Sequence, residues 1–240
     1  MLRHTNTPKP SELTAELQEK LRQEFAATPK VVWNQKWLKQ KVLDKAFGKC
    51  CYADISLNVE GNYMEIDHFL PKSKHPDKVM EWDNLLPSCK PCNLSKGDHD
   101  TKVEPIVNPF TDNPQEYLYF MGEEYYGRNE MGERTIRVLG LNKEQLQKKR
   151  EEIVRVTEED ISYLFNILSR SLLPEEQDLR YLKDWLGRVN RRKSYAALIS
   201  TVILGSDHFR QTEAFLKENN LWDAELTALG EELLFCSLLQ

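Results

Sequence analysis

The stretch of sequence that decides the fold runs from residue 65 to residue 98. It reads E-I-D-H-F-L-P-K-S-K-H-P-D-K-V-M-E-W-D-N-L-L-P-S-C-K-P-C-N-L-S-K-G-D. Within it, six candidate site residues follow one another in the order Asp67, His68, Asn84, Cys89, Cys92 and Asn93. Few folds need a candidate general base, two amides and a thiolate pair in that order.

This order favours a small metal-dependent phosphodiesterase site. An imidazole such as that of His68 can deprotonate a water molecule near neutral pH. A single hard cation such as Mg²⁺ can neutralise the phosphate and support the leaving oxygen while it is held by few protein oxygens. Asp67 and Asn93 are the candidate oxygen ligands, and Asn84 is suited to fixing the loop that orients His68.

Simpler explanations exist for each of these residues taken singly. An Asp-His pair is often a surface pair, Asn93 could be only a helix cap, and Asn84 could be only a turn residue. Adjacent residues on a strand also point to opposite faces, so Asp67 and His68 can share a site only where the strand twists or ends. Together, and beside the cysteines, the residues favour a functional site.

The composition is that of a soluble globular protein. The 240 residues suffice for one large domain or two small ones, with 40% apolar and 30% charged residues. The longest apolar run, 195–204, is too short to span a bilayer, and the N-terminus lacks the apolar core of a signal peptide. Four of the five cysteines lie in two close pairs, which fits metal ligation in a reducing compartment better than disulfides. The cytoplasm is therefore the expected location.

The charge pattern bears on nucleic-acid binding. A net charge of -5 argues against a freestanding, tight nucleic-acid binder, because neutralisation of phosphates dominates such binding. Basic residues nevertheless cluster at 30–49, 148–150 and 191–193. Any one of these clusters can be explained as a solvated helix face. If the chain cuts nucleic acid, we expect it to borrow affinity from a partner protein.

Periodicity predicts an α+β protein that is mostly helical. The expected segments are an N-terminal helical lead-in (1–49), a small catalytic core of two strands and a helix (50–105), a loop and hairpin connection (106–141) and a C-terminal helical region (142–240). The core strands are predicted at 63–67 and 85–87, and its helix near Asn93.

Three local signals complete this prediction. In the lead-in, one helix begins behind Ser11, and a second amphipathic stretch carries Trp33 and Trp37 on one side. Runs at 117–120 and 135–138 flank a Gly- and Glu-rich tip, which indicates a hairpin. The two tyrosines in that tip, Tyr125 and Tyr126, are candidates for exposed stacking on bases. Asn142 and Gln145 resemble a capping box at the start of the C-terminal helices.

Residues 67–73, D-H-x-x-P-K-S, and 83–98, D-N-L-L-P-S-C-x-x-C-N-x-x-K-G-D, resemble the HNH endonuclease family. The similarity extends over residues 50–100. It implies a ββα-metal fold, phosphodiester hydrolysis and dependence on Mg²⁺ or another divalent cation. It further implies His68 as the general base, Asp67 and Asn93 as the metal ligands, and Asn84 as the middle, orienting residue.

The longer sequence is similar, more loosely, to the HNH subunits of bacterial anti-phage systems of the Septu type. The similarity rests on W-D-N-L-L (82–86), V-N-P-F-x-D-x-P (107–114) and T-I-R-V-L-G-L-N (135–142). In such systems the nuclease acts with an ABC-type ATPase, and some versions are attached to retrons. The resemblance therefore implies an ATPase partner subunit and, in some versions, a retron reverse transcriptase–DNA component. The acidic net charge suits such a subunit.

The cysteines suggest a structural zinc site whose ligand set is open. Cys89 and Cys92 have zinc-knuckle spacing, and a second C-x-x-C pair is expected upstream. There the chain reads C-C-Y-A-D at 50–54, so alanine stands where the second cysteine belongs. The shell could be completed by Cys51 and Asp54, or Cys50 and Cys51 could both contribute. Alternatively the zinc has been lost and the cysteines pack as small apolar groups.

The main alternative to a nuclease is a non-enzymatic, zinc-stapled module that binds a partner. Such a scaffold would need an intact cysteine set and no Asp-His pair, whereas this chain shows the reverse. Within the nuclease hypothesis the substrate stays open between DNA and a structured RNA such as tRNA.

Overall fold

A computed structural model describes residues 1–28, 30–57, 63–170 and 172–240. The chain forms two compact units. The first comprises residues 1–117 and 127–141, and the second comprises 118–126 and 142–240. The architecture is α+β and mostly helical, as predicted.

The first unit is built on a short antiparallel hairpin with helices against it. Its elements are α1 (Ala15–Ala27), α2 (Lys36–Asp44), β1 (Met64–His68), β2 (Leu85–Cys89), α3 (Lys90–Lys96) and α4 (Glu130–Leu139). In the register of the hairpin, Met64 lies opposite Cys89 and His68 opposite Leu85. Both α2 and α3 contact β1 and β2. The two predicted strands and the helix that follows them are therefore confirmed.

Two lysines of the basic cluster at 30–49 belong to the core and not to a solvated face. Lys45 is 2% exposed, and its ammonium donates to the backbone carbonyls of Trp82 and Leu85 while lying over the Trp82 ring. Lys49 is 1% exposed and pairs with the buried carboxylate of Asp54. Buried ammonium groups are tolerated only when they are paired or hydrogen-bonded, and both lysines meet this condition.

The prediction of a strand at 135–138 is wrong, because these residues lie in α4. Asn129 caps this helix by accepting from the backbone N–H of Gly132, and Gly140 ends it in the left-handed conformation. Its buried residues follow helical spacing: Gly132, Thr135, Ile136 and Leu139. The Thr135 hydroxyl accepts from the backbone N–H of Val107, so a long-range contact favours helix in a segment rich in β-branched residues.

The second unit is a helical bundle with a small hairpin attached. Its elements are β3 (Leu118–Met121), β4 (Glu124–Gly127), α5 (Glu144–Ser169), α6 (Glu176–Gly187), α7 (Ala196–Gly205), α8 (Asp207–Glu218) and α9 (Ala224–Cys236). Helix α7 packs against α5, α8 and α9. The core includes Leu164, Trp185, Ile203, Phe209 and Leu233. Among the described helices of the chain, none is both long and apolar enough to cross a membrane.

Two further expectations fail in this unit. Asn142 does not cap α5, whose N-cap is Lys143; its side chain instead bonds to the backbone N–H and carbonyl of Tyr125. Tyr125 is not exposed at a hairpin tip. It is 2% exposed, and the Arg150 guanidinium lies 5.2 Å from its ring centroid. Tyr125 therefore offers no surface for stacking on bases.

The close approach of α4 to the chain before it yields a stability prediction. A Cβ atom at Gly132 would meet the Tyr117 carbonyl oxygen at 2.0 Å, so Gly132→Ala is expected to lower the free energy of unfolding by about 1 to 3 kcal/mol. Gly205→Ala is the control, because a Cβ there meets nothing within 4 Å, and we expect it to be neutral or stabilising. Urea unfolding of both variants measures the difference. Equal midpoints for Gly132→Ala and wild type would contradict the prediction.

Candidate active site

His68 ends β1 as a buried, neutral imidazole with one nitrogen anchored. The side chain is 4% exposed, and Nε2 lies 2.9 Å from the carbonyl oxygen of Val79. A carbonyl only accepts, so Nε2 carries the proton and Nδ1 keeps its lone pair. Among the described residues Nδ1 has no hydrogen-bond partner. Burial lowers the pKa of His68 to about 4, so the ring is neutral at pH 7 and can accept a proton.

Asn84 fixes the loop that presents this carbonyl. Its Oδ1 accepts from the backbone N–H of Leu70 at 2.6 Å, and its Nδ2 donates to the carbonyls of Leu70 at 3.1 Å and Lys78 at 3.0 Å. Lys78 directly precedes Val79, the residue bonded to His68. The amide thus ties both ends of the loop at 69–79 together and holds the peptide that orients the imidazole.

Asp67, the neighbour of His68 at the end of β1, is held by two buried donors. The Tyr52 hydroxyl donates to Oδ2 at 2.6 Å, and the Lys96 ammonium donates to Oδ1 at 2.9 Å and to the His68 carbonyl at 2.7 Å. Burial, followed by the charge of Asp67, raises the pKa of Tyr52 well above its usual value, so the phenol stays protonated as a donor. Helix α3, through Lys96, therefore secures the end of β1.

Asn93 is positioned by a residue that the sequence reasoning missed. Its Nδ2 donates to Glu65 Oε2 at 2.7 Å, and Glu65 shares a face of β1 with Asp67 because the two are two residues apart. The Asn93 Oδ1 has no hydrogen-bond partner within the described part of the chain. Because alternate residues of a strand share a face, the strand predicted at 63–67 already places Glu65 on the same face as Asp67.

The donor set on this face suits a hard cation. The carboxylates of Glu65 and Asp67 and the amide oxygen of Asn93 are oxygen ligands of the kind that Mg²⁺ prefers. The Asn93 amide is already turned with its nitrogen on a carboxylate, which leaves its oxygen for other partners. The cation ligands that the HNH resemblance implies therefore fit, with Glu65 as an addition.

The structure does not bring all the candidate residues into direct contact. Asp67 and His68 lie at neighbouring positions, but no hydrogen bond joins them. Asp67 contacts α3, whereas His68 contacts the Val79 carbonyl and an aromatic ring. The Asn84 side chain belongs to the His68 side of the hairpin. Because β1 ends at His68, the two neighbours meet the condition under which adjacent residues of a strand can serve one site.

The aromatic ring beside His68 is that of Trp33. The Trp33 and His68 ring centroids are 4.5 Å apart at 77°, an edge-on contact, and the Lys72 ammonium lies 5.4 Å from the centroid of the Trp33 ring. Sequence periodicity assigned Trp33 to the apolar side of a helix together with Trp37. It instead precedes α2, and nothing in its spacing predicts a contact with His68.

Three cysteines form a compact cluster at the other end of the hairpin. The Sγ atoms of Cys50, Cys89 and Cys92 all lie within 4.8 Å of one another, and all three side chains are buried. Burial would raise the pKa of Cys50, but hydrogen bonds from Cys89, Cys92 and the Ala53 N–H outweigh it and hold this pKa well below its usual value. Three convergent thiol groups, one of them readily ionised, fit a zinc ion.

The other two candidate zinc ligands lie outside this cluster. Asp54 pairs with Lys49, which occupies its carboxylate in a buried ion pair. Cys51 donates its backbone N–H to the Pro87 carbonyl, and burial raises the pKa of its thiol well above the usual value. The shell completed by Cys51 and Asp54 is therefore not the one that the structure assembles, which instead uses Cys50.

Comparison with known proteins assigns this part of the chain to a family. Residues 49–99, which include the hairpin, its loop, α3 and the cysteine cluster, match the HNH endonuclease family. Over 224 residues the chain is 32% identical to the Septu protein PtuB of Bacillus thuringiensis, covering 90% of this chain and 87% of that protein. A Septu protein PtuB of Bacillus mycoides (strain KBAB4) is 29% identical over 150 residues, covering 48% of this chain and 50% of the relative. The chain belongs to the PtuB family of Septu proteins, as its resemblance to HNH subunits of that type predicted.

Proposed function

We propose that the protein is a metal-dependent HNH endonuclease that hydrolyses phosphodiester bonds in nucleic acid, as the effector subunit of an anti-phage defence complex. The observation that carries the proposal is the state of His68 within the HNH domain. Its imidazole is neutral, anchored through Nε2 and unpartnered at Nδ1 among the described residues. A neutral imidazole with one nitrogen anchored and the other unoccupied can take a proton from water, which is the role of a general base.

In the proposed reaction, His68 Nδ1 removes a proton from the attacking water. The resulting imidazolium is stabilised by the Val79 carbonyl at Nε2 and by the nearby charge of Asp67, both of which raise the pKa of His68. Asn84 keeps the Val79 peptide in place during this transfer. A bound divalent cation would act as a Lewis acid on the phosphate.

The residues proposed to hold that cation are Asp67 and Asn93. Tyr52 and Lys96 each donate to one oxygen of the Asp67 carboxylate, which leaves further lone pairs on both oxygens. Glu65 keeps the Asn93 amide turned so that its oxygen is available.

We further propose a structural Zn²⁺ on Cys50, Cys89 and Cys92. Two of these cysteines flank the start of α3, and Cys50 comes from the segment that follows α2. Zinc would therefore fasten the N-terminal helices to the catalytic helix. This supports a structural and not a catalytic role for that ion.

The proposed partner is an ABC-type ATPase subunit, and the proposed location is the cytoplasm. The resemblance to Septu nucleases supports the partner, and a net charge of -5 supports the view that affinity for nucleic acid is partly supplied by another subunit. All five cysteines lie in the described part of the chain and none forms a disulfide, which suits a reducing compartment. The relatives give no support to a retron component.

The alternative function, a zinc-stapled module that only binds a partner, has one observation in its favour. Asp67 is 3% exposed and His68 is 4% exposed, as structural core residues would be. Against it, no protein group among the described residues occupies Nδ1 of His68 or Oδ1 of Asn93, the two atoms that the proposed hydrolytic site would use.

A cleavage assay decides between the two functions. Plasmid DNA and total tRNA are incubated with wild type and His68→Ala, in Mg²⁺ or EDTA, each alone and with the ATPase subunit. We expect cutting that needs the metal and disappears in the variant, and the polymer that is cut identifies the substrate class. Absence of cutting in every condition, including with the ATPase, would favour the binding module.

Asn84→Ala is expected to lower kcat by up to about 10²-fold, because the loop that holds the Val79 carbonyl loses three hydrogen bonds and the base shifts. Bound zinc should be unchanged, since Asn84 does not touch the cysteine cluster. Steady-state kinetics and metal analysis measure the two effects. Asn113→Ala is the matched control: Asn113 caps the turn at Pro114–Glu116, away from the His68 loop. Equal losses in both variants would contradict a positioning role for Asn84.

A further inference from the structure

We propose that Trp33 and Lys72 form a substrate-contacting pair beside His68. In this proposal, which rests on the proposed nuclease function, Trp33 is a positioning residue for the imidazole. Lys72 binds a phosphate of the nucleic-acid strand next to the one that is cut.

The first observation is the way Trp33 restrains His68. The Val79 carbonyl fixes one nitrogen of the imidazole, but a single hydrogen bond leaves the ring free to tilt. The edge-on contact with Trp33, at 4.5 Å between ring centroids, opposes that tilt. Trp33 is in turn supported by the Phe25 ring of α1, whose centroid is 5.8 Å away. The base is therefore held by a hydrogen bond and by an aromatic contact.

The second observation is that the pair reaches solvent. Trp33 is half-buried, although it packs against His68, which is only 4% exposed. Lys72 is exposed and follows Pro71 in the loop that Asn84 fixes. A strand approaching His68 from solvent would thus meet an aromatic surface and an ammonium group.

The third observation is that Lys72 has no acidic partner among the described residues. Within the described residues it forms no ion pair, and its ammonium lies 5.4 Å from the centroid of the Trp33 ring. Many other basic side chains of this acidic chain pair with carboxylates, for example Lys41 with Glu12 and Arg191 with Glu232. An ammonium placed over an aromatic ring keeps its charge available to a phosphate.

Together these observations predict a contact that is independent of base sequence. Lysine binds phosphate as a point charge, so Lys72 contributes affinity and register but no sequence preference. The indole can pack against a sugar or stack on a base, since aromatic stacking tolerates any base. The pair thus matches a nuclease that follows the backbone of its substrate.

The test for Lys72 uses binding in EDTA, where no cleavage occurs, with a fluorescein-labelled DNA duplex and labelled tRNA as probes. Lys72→Ala is expected to weaken binding several-fold on the polymer that is cut. The slope of log K against log salt should become shallower by about 0.7 to 0.9, as one lost phosphate contact predicts. Lys72→Arg should restore most of the affinity. Lys74→Ala, an exposed lysine of the same loop, is the matched control and should change neither quantity.

The test for Trp33 separates kcat from KM. Trp33→Ala is expected to lower kcat about tenfold or more, because the base is misplaced, and to raise KM several-fold, because the indole contact with the strand is lost. Trp33→Phe should recover most of the rate, and Trp37→Phe is the control. In EDTA, nucleic acid should quench tryptophan fluorescence in wild type and in Trp37→Phe but not in Trp33→Phe. A purely structural role would leave this quenching unchanged.

The outcomes separate this proposal from the nuclease function on which it rests. If wild type cuts and Lys72→Ala behaves like Lys74→Ala, the proposed substrate contact at Trp33 and Lys72 is contradicted. The proposed nuclease function is not. The same holds if Trp33→Phe is still quenched. If wild type cuts nothing with or without the ATPase, the nuclease function fails. A salt slope and quenching that still respond to Lys72 and Trp33 would then establish nucleic-acid binding at the pair alone.

Discussion

Replacing His68 with alanine is expected to lower the rate of metal-dependent cleavage by about 10² to 10⁴, the usual contribution of a general base. The loss should appear in kcat, because His68 acts on the water and not on substrate binding. The imidazole Nδ1 is the proton acceptor in the proposed reaction, and alanine offers none. Single-turnover cleavage at saturating enzyme measures this step directly.

Because His68 is buried, loss of activity must be distinguished from loss of fold. His68→Gln serves this purpose, since its amide nitrogen matches Nε2 and can still donate to the Val79 carbonyl but cannot act as a base near neutral pH. We expect it to be as inactive as His68→Ala while keeping the wild-type circular dichroism spectrum. His75→Ala is the matched control, because His75 lies in the following loop and bonds to Asp100. A folded His68→Gln protein with full activity would remove the proposed base.

Replacing Cys92 with serine is expected to remove the structural zinc and lower the thermal stability of the protein. Cys92 is one of three sulfur ligands, so its loss leaves too few thiolates to hold the ion. Zinc at about 100 times its Kd stabilises a protein by about 2.7 kcal/mol. For a chain of this size, losing that amount corresponds to a fall in Tm of roughly 5 to 10 °C. Metal analysis and thermal unfolding measure the two effects.

Cys51→Ser is the matched control for this prediction. Cys51 is as buried as Cys92 and lies next to a cluster member, yet its sulfur is outside the cluster. We expect the variant to keep its zinc, and a strong chelator should lower its Tm as it lowers that of wild type. The chelator should leave the Tm of Cys92→Ser unchanged. If Cys51→Ser loses its zinc and Cys92→Ser keeps it, the ion is bound by Cys51 and not by Cys92.

The parts of the fold that could be predicted are those whose signals are local. The hairpin strands were predicted at 63–67 and 85–87 and observed as Met64–His68 and Leu85–Cys89, because short runs bounded by turn residues define them. The run at 135–138 was misassigned because its β-branched residues suit a strand locally. A cap at Asn129 and a bond from Val107 to Thr135 decide the outcome.

The candidate site divides in the same way. The order of Asp67, His68, Asn84 and Asn93 could be read from the sequence because motif spacing is local. Glu65 and Trp33 could not be assigned roles, since their partners are far along the chain: Asn93 lies 28 positions after Glu65. The sequence does not show whether Cys50 or its neighbour Cys51 joins Cys89 and Cys92. The positions of the sulfur atoms decide this. Contacts of this kind depend on how the chain closes, which periodicity does not specify.

Helix α3 carries residues of both proposed metal sites, so we expect the loss of one site to affect the other. It is seven residues long, too short to be stable alone, yet it carries Cys92, then Asn93, then Lys96. The first belongs to the thiol cluster, the second to the oxygen donors, and the third holds the end of β1. If zinc leaves, we expect the helix to shift and cutting to fail even in abundant magnesium. The cutting activity of such a defence protein would then depend on the zinc that is available in the cell.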